Sequence, residues 1–279
     1  MLNLFILLSL PYMVMSAAVF GETKFSHMTA EEFSKSHGLK TRMGYYRTYT
    51  PHTFTDEEVK DATETPIDWR DKGVVTPIKN QGDCGSCWVF SAIATIESQL
   101  AIKTSGLESL SEEEPLDCVT KDEGCLGGWP DDVFDWVQKN GVTVESLYNY
   151  TAGRTATPGK CRMNSTYPIT KINKHIDLPN DEGQILAYMA KNGPISITVD
   201  ATSFQSYKSG ILDNCISNRV DHAINIVGYQ PAGNDYPAYW VIRNSWGRGP
   251  NGWGEDGYIR IKYGSNQCLI ESHPSAVIL

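Results

Sequence analysis

Seven cysteines in a chain of 279 residues are the strongest constraint on how this protein folds. In an oxidising compartment we expect cysteines to pair as disulfides, and an odd number leaves one thiol over. Two of the seven stand in "CGSC", Cys84 to Cys87. This spacing is used by redox enzymes, by metal sites and by thiol nucleophiles. A fold for this chain must therefore account for the pair and for the odd cysteine.

The N-terminus predicts entry into the secretory pathway. Apolar residues 4–10 are followed by Pro11 and by the small residues 16–18, a pattern typical of a cleaved signal peptide, which we place at residues 1–20. No later segment is apolar enough to span a membrane, so we expect no membrane attachment after signal removal. Asn149 and Asn164 begin Asn-x-Ser/Thr triplets and are candidate glycosylation sites on this route.

Charge and composition argue against a nucleic-acid-binding protein. The formal net charge is -9, and no cluster of Lys and Arg provides the basic face that a nucleic-acid-binding protein needs. With 41% hydrophobic residues, the chain has the composition of an ordinary globular protein. We expect no nucleic-acid partner, no metal and no cofactor.

Helical patterns precede strand patterns along the chain. Residues 21–65 are polar and are interpreted as a processed segment. Helices are then predicted at residues 86–104, from Ser111 onward, at 129–141 and at 181–194. Strands are predicted at residues 195–199, 222–229, 239–244 and 257–263.

This order favours an α+β protein with two segregated halves. The helical half is expected to cover about residues 66–173 and the β half about residues 174–279. A cleft between two such halves is a usual place for an active site.

The CGSC pair fits a nucleophile better than a redox or metal site. A thioredoxin-like motif belongs beside βαβ patterning, which the preceding "VVTPIKNQG" does not provide. Zinc needs about four ligands, and no second closely spaced Cys or His pair is found. Cys87 falls at the start of the helix predicted at residues 86–104. There the helix dipole favours an anion and is expected to lower the thiol pKa.

A thiolate nucleophile works with an imidazole and with a group that orients the imidazole. Three of the six histidines lie in the segment expected to be removed. His175 stands in a polar stretch and is predicted to lie at the surface. His222 opens a predicted strand, and His273 lies near the C-terminus. On its position alone, His222 is better explained as an edge residue of that strand.

Two further side chains suit a thiol active site. Asn244 ends an apolar strand, where its amide needs a partner such as the ring of His222. Trp246 can cover that hydrogen bond from water. The side-chain amide of Gln81 and the backbone N–H of Cys87 are candidates for an oxyanion hole.

With these residues the chain resembles the papain-like cysteine proteases, which include the cathepsins. The matching pieces are "IDWRDKGVVTPIKNQGDCGSCW", "LSEEEPLDC", "GCLGG", "VDHAINIVGY", "NSWG" and "GWGEDGY", within about residues 66–279. The resemblance implies a fold with a helical half and an antiparallel, β-barrel-like half. It also implies a cysteine endopeptidase of the secretory pathway, lysosomal or extracellular, that is made as a zymogen and acts through an acyl-enzyme.

The resemblance implies a role for each matching residue. Cys87 is then the nucleophile, and His222 is its acid–base partner. Asn244 orients the imidazole, and Gln81 completes the oxyanion hole. The implied disulfides are Cys84–Cys125, Cys118–Cys161 and Cys215–Cys268, which leave Cys87 as the odd thiol. Behind the site the resemblance implies a buried ion cluster of Lys79, Glu97, Glu112 and Arg243.

The resemblance also implies a substrate-binding cleft. Its residues would be Gly85, Ser86, Gly127, Gly128, Trp129, Pro130, Thr198, Asp221, Ala223, Trp246 and His273. The pocket for the second side chain before the scissile bond is mostly apolar, which predicts a preference for Leu, Val or Phe there. The expected partners are protein and peptide substrates, the chain's own pro-segment and cystatin-type inhibitors, and we expect a monomer.

The segment "KFSHMTAEEFSKSHGLK" resembles the tail of the family's inhibitory propeptide. The long helices that precede this tail in the family are not found here, so inhibition is weak or the sequence is incomplete. Two alternatives to a protease stay open. One is a catalytically silent secreted binding protein on the same fold, and the other is a thiol oxidoreductase that uses Cys84 and Cys87.

Overall fold

The computed structural model describes residues 17–36, 39, 53–249 and 252–279. Most of the predicted signal peptide lies outside these residues. The helices are α1 (Ala30–Lys35), α2 (Asp56–Glu64), α3 (Cys87–Thr104), α4 (Glu113–Cys118), α5 (Pro130–Asn140), α6 (Ala152–Thr155) and α7 (Glu182–Asn192). Among the described helices, none has the length and apolar character needed to cross a membrane.

The strands are short except for one long strand in the β half. They are β1 (Val19–Phe20), β2 (Ile67–Asp68), β3 (Lys174–Asp177), β4 (Ile195–Val199), β5 (Tyr207–Ser209), β6 (Ile211–Leu212), β7 (His222–Gln230), β8 (Tyr239–Arg243), β9 (Tyr258–Lys262) and β10 (Ser272–Ile278). The α+β class is thereby confirmed. Most of the strands follow α3 to α6, but β1 and β2 lie before α3, and β3 lies before α7.

The predicted helices end at the residues expected to stop them. Gly141 and Gly193 follow α5 and α7, and both have positive φ, at 83° and 123°, which favours glycine. Each donates its backbone N–H to a carbonyl of the last turn. At the start of α4, the hydroxyl of Ser111 accepts the backbone N–H of Glu114 at 3.0 Å, as the capping-box spacing predicts.

Helix α3 forms the centre of the helical half and is buried along most of its length. Its large apolar side chains, among them Trp88 and Ile93, pack with Val133 and Phe134 of α5. Its other face contacts the β half, where the hydroxyl of Ser91 donates to the carbonyl of Ile224 at 2.8 Å. The start of α3 therefore lies against the sheet.

The main sheet of the β half runs in the order β3-β10-β4-β7-β8-β9-β6, and β2 also pairs with β7. All neighbours are antiparallel except β6 and β9. Strands β4 and β7 are buried along almost their whole length, which explains their apolar, β-branched sequences. The described strands form an open path from β3 to β6, so the barrel-like closure implied by the resemblance is not found among them.

The described residues before Pro66 fall into two pieces, each with a helix that the polar composition did not predict. We call residues 17–36 together with Leu39 the covering segment, and residues 53–64 the α2 segment. Each contains a helix that begins with a capping box, Thr29 with Glu32 and Thr55 with Glu58. The T-x-x-E spacing in "TAEE" and "TDEE" is the signal that predicts both helix starts.

Candidate active site

Cys87 is the first residue of α3 and is fully buried. Among the cysteines it is the free thiol, and the other six form Cys84–Cys125, Cys118–Cys161 and Cys215–Cys268. These are the three pairs that the resemblance implies. In the CGSC motif, Cys84 therefore fixes the loop before α3, while Cys87 keeps its thiol.

An imidazole held by an amide lies at the start of β7. His222 Nε2 lies 2.8 Å from Asn244 Oδ1, and both side chains are buried. The ring of Trp246 stacks on His222 with centroids 4.7 Å apart and an interplanar angle of 27°. Since Nε2 takes the bond to Asn244, proton exchange with a thiol uses Nδ1. The predicted relation of these three side chains is present in the structure.

Burial disfavours the charged forms of both Cys87 and His222. Burial raises the pKa of the Cys87 thiol, the backbone N–H of Ala223 opposes this rise, and the charge of Asp221 adds to it. Burial also lowers the pKa of His222 to about 4, and the hydrogen bond that Asn244 Oδ1 accepts from the ring opposes this shift. The lowered thiol pKa expected from the helix dipole is therefore wrong for the covered form, because desolvation outweighs the dipole.

The side-chain amide of Gln81 is fixed from two sides beside the thiol loop. Its Nε2 donates to the carbonyl of Cys84 at 3.0 Å, and its Oε1 accepts the hydroxyl of Ser245 at 2.7 Å. The bond from Ser245 orients the amide so that its N–H group faces the loop. Ser245 is a positioning residue that the sequence did not reveal, although it stands in the matching piece "NSWG".

The buried ion cluster predicted behind the site is confirmed. Lys79 Nζ lies 2.6 Å from a carboxylate oxygen of Glu97 and 2.6 Å from one of Glu112. Arg243 approaches Glu97 at 3.9 Å and donates to the hydroxyl of Thr76 at 2.9 Å. These bonds link α3 to β8, and we assign the cluster a structural role.

Gly127 has a φ of 123°, which favours glycine, and at Gly128 the chain passes close to other groups. A Cβ atom on Gly128 would lie 2.6 Å from the ring of Trp88, so only glycine fits. Leu39 of the covering segment forms a parallel β-bridge with Gly128. A main chain can therefore pair with the chain at Gly128, as expected for a substrate backbone.

The two other loop positions assigned to substrate binding brace the loop before α3. Gly85 donates its N–H to the carbonyl of Cys125 at 3.0 Å. The hydroxyl of Ser86 lies 2.7 Å from the hydroxyl of Tyr150.

The five residues assigned to the specificity pocket come from four elements. Thr198 on β4 and Ala223 on β7 are cross-strand partners. The hydroxyl of Thr198 lies 3.2 Å from His273 Nδ1, and the His273 ring lies 4.8 Å from the ring of Trp129. Pro130, the first residue of α5, follows Trp129 directly. His273 is partly buried and belongs to this group.

The covering segment occupies the cleft positions assigned to substrate. The rings of Phe25 and Phe33 lie 4.9 Å and 5.5 Å from the ring of Trp246. Ser34 donates its hydroxyl to the carboxylate of Asp221 at 2.9 Å, and Leu39 donates its N–H to the carbonyl of Asp221 at 3.3 Å. These contacts contribute to the burial that disfavours the thiolate and the imidazolium.

His175 is not the surface residue that the sequence predicts. It is 8% exposed, and its ring lies 5.8 Å from the ring of Phe134. One ring nitrogen of His175 and one carboxylate oxygen each from Asp131 and Asp177 lie within 4.8 Å of one another, a grouping able to hold a metal ion. Thiol chemistry makes no use of it. The polar stretch around His175 misled the prediction, because β3 is covered by α5.

The candidate glycosylation sites, Asn149 and Asn164, are both exposed. The Oδ1 atom of Asn164 accepts the backbone N–H of Thr166 at 3.0 Å, within the same triplet. Both side chains are therefore accessible for modification.

A sequence profile of the papain family cysteine proteases matches residues 63–278. The chain is 44% identical over 266 residues to a cysteine proteinase of Trypanosoma brucei brucei, a match that covers 94% of this chain and 57% of that protein. It is 41% identical over 257 residues to cysteine proteinase A of Leishmania mexicana, covering 90% and 70% of the two chains. The chain thus spans little more than half the length of the trypanosomal relative.

Solved structures resemble the fold closely. The recombinant stem bromelain precursor superposes with a TM-score of 0.82 and 35% sequence identity, over 94% of this chain and 83% of that one. A digestive procathepsin L 3 of Tenebrio molitor larval midgut gives a TM-score of 0.78 and 32% identity, over the same shares of the two chains. Both of these structures are of precursor forms.

Proposed function

The chain belongs to the papain family of cysteine proteases, and on that premise we propose that it is a cysteine endopeptidase made as a zymogen. The observation that carries the proposal is the free thiol of Cys87 at the start of α3, beside an imidazole that Asn244 holds at 2.8 Å. The three disulfides and the exposed Asn149 and Asn164 support a secretory route, ending in the lysosome or outside the cell.

In the proposed reaction, the uncovered thiol and imidazole exchange a proton. Once the covering segment leaves, water reaches the site and the start of α3 stabilises the thiolate. The thiolate attacks a peptide carbonyl, and the oxyanion is held by the side-chain N–H of Gln81 and the backbone N–H of Cys87. His222 protonates the leaving amine, and the acyl group stays on the sulfur. Water activated by His222 then releases the acid and restores the thiol.

The substitution Cys87→Ser tests the nucleophile. We expect it to abolish peptide hydrolysis, because a hydroxyl is far harder to ionise than a thiol. The three disulfides should be unchanged, as measured by mass spectrometry under non-reducing conditions. Substantial hydrolysis by this variant would refute the assignment, and an inactive wild-type enzyme after removal of the covering segment would favour the silent binding protein. A thiol titration separates the protease, which has one thiol per mature chain, from an oxidoreductase with a reduced CxxC pair, which has two.

The roles of His222 and Asn244 are tested by comparing how much kcat/KM falls when each is replaced by alanine. His222 transfers the proton, whereas Asn244 only orients the ring, so His222→Ala should lower kcat/KM more than Asn244→Ala. The reverse order would contradict these roles.

The pocket formed by Trp129, Thr198, Ala223 and His273 supports a proposed preference for Leu, Val or Phe. A protonated His273 introduces a positive charge. The kcat/KM of a substrate with an acidic side chain at this position should therefore rise relative to that of a Leu substrate as pH falls from 7 to about 5. The measurement is the kcat/KM ratio of a Glu and a Leu peptide at both pH values. An unchanged ratio, or an equal shift in His273→Ala, removes His273 from the specificity site.

A further inference from the structure

The α2 segment is bonded to the β half near both of its ends. At its start, the side chain of Gln184 on α7 accepts the backbone N–H of Phe54 at 2.7 Å and donates to the Phe54 carbonyl at 3.0 Å. At its end, the hydroxyl of Tyr229 on β7 donates to the carbonyl of Thr63 at 3.1 Å. Detachment of α2 therefore breaks bonds to two different elements.

Apolar side chains pack the segment onto α7 between these bonds. Phe54 is 7% exposed, and its ring lies edge-on to the ring of Tyr188 at 6.4 Å. A Cβ atom on Gly183 would lie 2.8 Å from a methyl group of Val59, so the glycine lets α2 approach α7 closely. Ala62 is also buried. The contact is that of a folded helix pair and not of a loosely attached tail.

The chain after α2 is also fixed. Strand β2 pairs with β7 at Tyr229 and Gly228, and Trp69 donates its backbone N–H to the carbonyl of Val227 at 3.0 Å. His222 stands at the opposite end of β7, seven residues away, which is roughly 20 Å along a strand. The peptide bonds just before Pro66 therefore lie far from the chain's own thiol, between two docked elements.

A protease cleft binds its substrate as an extended chain, so cutting near residue 65 requires both α2 and β2 to detach. We propose that the cleavage that activates the zymogen falls before Phe54, so that the mature enzyme keeps α2 as its N-terminal element. This inference rests on the proposed zymogen function. It places the start of the mature chain upstream of residue 66, the boundary that the sequence favours. The covering segment is then released on activation, whereas the α2 segment remains part of the mature enzyme.

The first test identifies the N-terminus of the processed enzyme. The full-chain Cys87→Ser protein is digested in trans by a small amount of processed wild-type enzyme, and the stable product is examined by intact mass and N-terminal sequencing. We expect a product that begins at or before Phe54. A product that begins anywhere after Phe54, whether within α2 or at residues 65–67, overturns the inference.

The second test needs no activity of this chain, so it separates failure of the inference from failure of the proposed function. Trypsin cuts after Lys and Arg, and Lys60 lies within α2. In the full-chain Cys87→Ser protein, we expect the bond after Lys60 to resist trypsin after the covering segment has been removed. Cutting after Lys60 as fast as within the covering segment overturns the inference.

Two variants make the trypsin test specific to α2. Phe54→Ala and, separately, Gln184→Ala should each speed cutting after Lys60, by about tenfold or more for Phe54→Ala. The matched control is Phe25→Ala, because Phe25 is as buried as Phe54, at 8% and 7% exposed, but lies in the covering segment. Equal effects of Phe25→Ala and Phe54→Ala on cutting after Lys60 would contradict the separation of the two segments.

Discussion

The covering segment and the α2 segment begin their helices with the same local signal, yet they lie against different surfaces. The covering segment packs Phe25 and Phe33 on Trp246, directly beside the imidazole of His222. The α2 segment packs Phe54 on α7, and its end is bonded to the far end of β7. A capping box therefore establishes where a helix starts, whereas the surface it packs on decides whether the helix obstructs the site.

The two segments also differ in how they affect the ionisation of the active-site groups. Contacts of the covering segment with Asp221 and Trp246 help to exclude water from groups whose ionisation the reaction needs. Among the described residues, the contacts given above for the α2 segment are with α7 and with the far end of β7. Removing the first should change reactivity, and removing the second should change stability.

The largest expected effect is on the inhibition constant of the covering segment, when the side chain that anchors it is removed. A synthetic peptide of residues 17–39 should inhibit the processed enzyme, and Phe33→Ala should raise its Ki by about 100-fold or more, because Phe33 is almost fully buried. Phe20→Ala is the control, since Phe20 is 51% exposed and should matter little. Similar increases of Ki for both peptides would show that the Phe33 contact does not hold the segment.

The second effect is on stability and should appear only for the α2 segment. If α2 is retained, Phe54→Ala should lower the free energy of unfolding of the processed enzyme by about 3 kcal/mol, the usual effect of truncating a buried Phe. Phe25→Ala should leave it unchanged, because its segment has been released. The measurement is chemical unfolding in the presence of a reversible active-site inhibitor. Equal stability of all three enzymes would argue that α2 had been lost as well.

The third effect is on pH dependence and should appear only for the covering segment. In the covered form the pKa of His222 is lowered to about 4, so covering favours the neutral ring. The contribution of the neutral ring to binding of the covering segment is fully present above the ordinary histidine pKa near 6.5. It is lost as pH falls toward 4. The pKa of Asp221 is raised, chiefly by burial, which acts in the opposite direction.

We therefore expect the residue 17–39 peptide to bind the processed Cys87→Ser protein about tenfold more weakly at pH 5 than at pH 7. The serine removes the thiol titration, and calorimetry gives the dissociation constant directly. Asp221→Asn removes the opposing carboxylate and should increase the difference. Equal binding at the two pH values would refute the linkage to His222.

Much of the fold and of the candidate site could be predicted from the sequence. Helix α3, strand β7 and the residues Cys87, His222 and Asn244 follow from periodicity, from the odd cysteine count and from the resemblance. The raised pKa of the thiol could not be predicted, because it depends on burial by residues distant in sequence, among them the covering segment. Strand β10 and the burial of His175 were missed for the same reason, since their neighbours are distant in sequence.

The smallest expected effects concern an exposed ion pair in each segment. Lys35 and Glu31 in α1 approach to 2.6 Å, and Lys191 of α7 approaches Glu58 of α2 at 3.5 Å. All four side chains are largely solvated, so screening and side-chain entropy offset most of the attraction. Lys35→Gln should change the Ki of the residue 17–39 peptide, and Lys191→Gln the rate of trypsin cutting after Lys60, by no more than about threefold. Both changes should vanish in high salt, whereas the effects of Phe33→Ala and Phe54→Ala should persist. An effect of either glutamine variant as large as that of the corresponding Phe variant would mean that charge, and not apolar burial, anchors that segment.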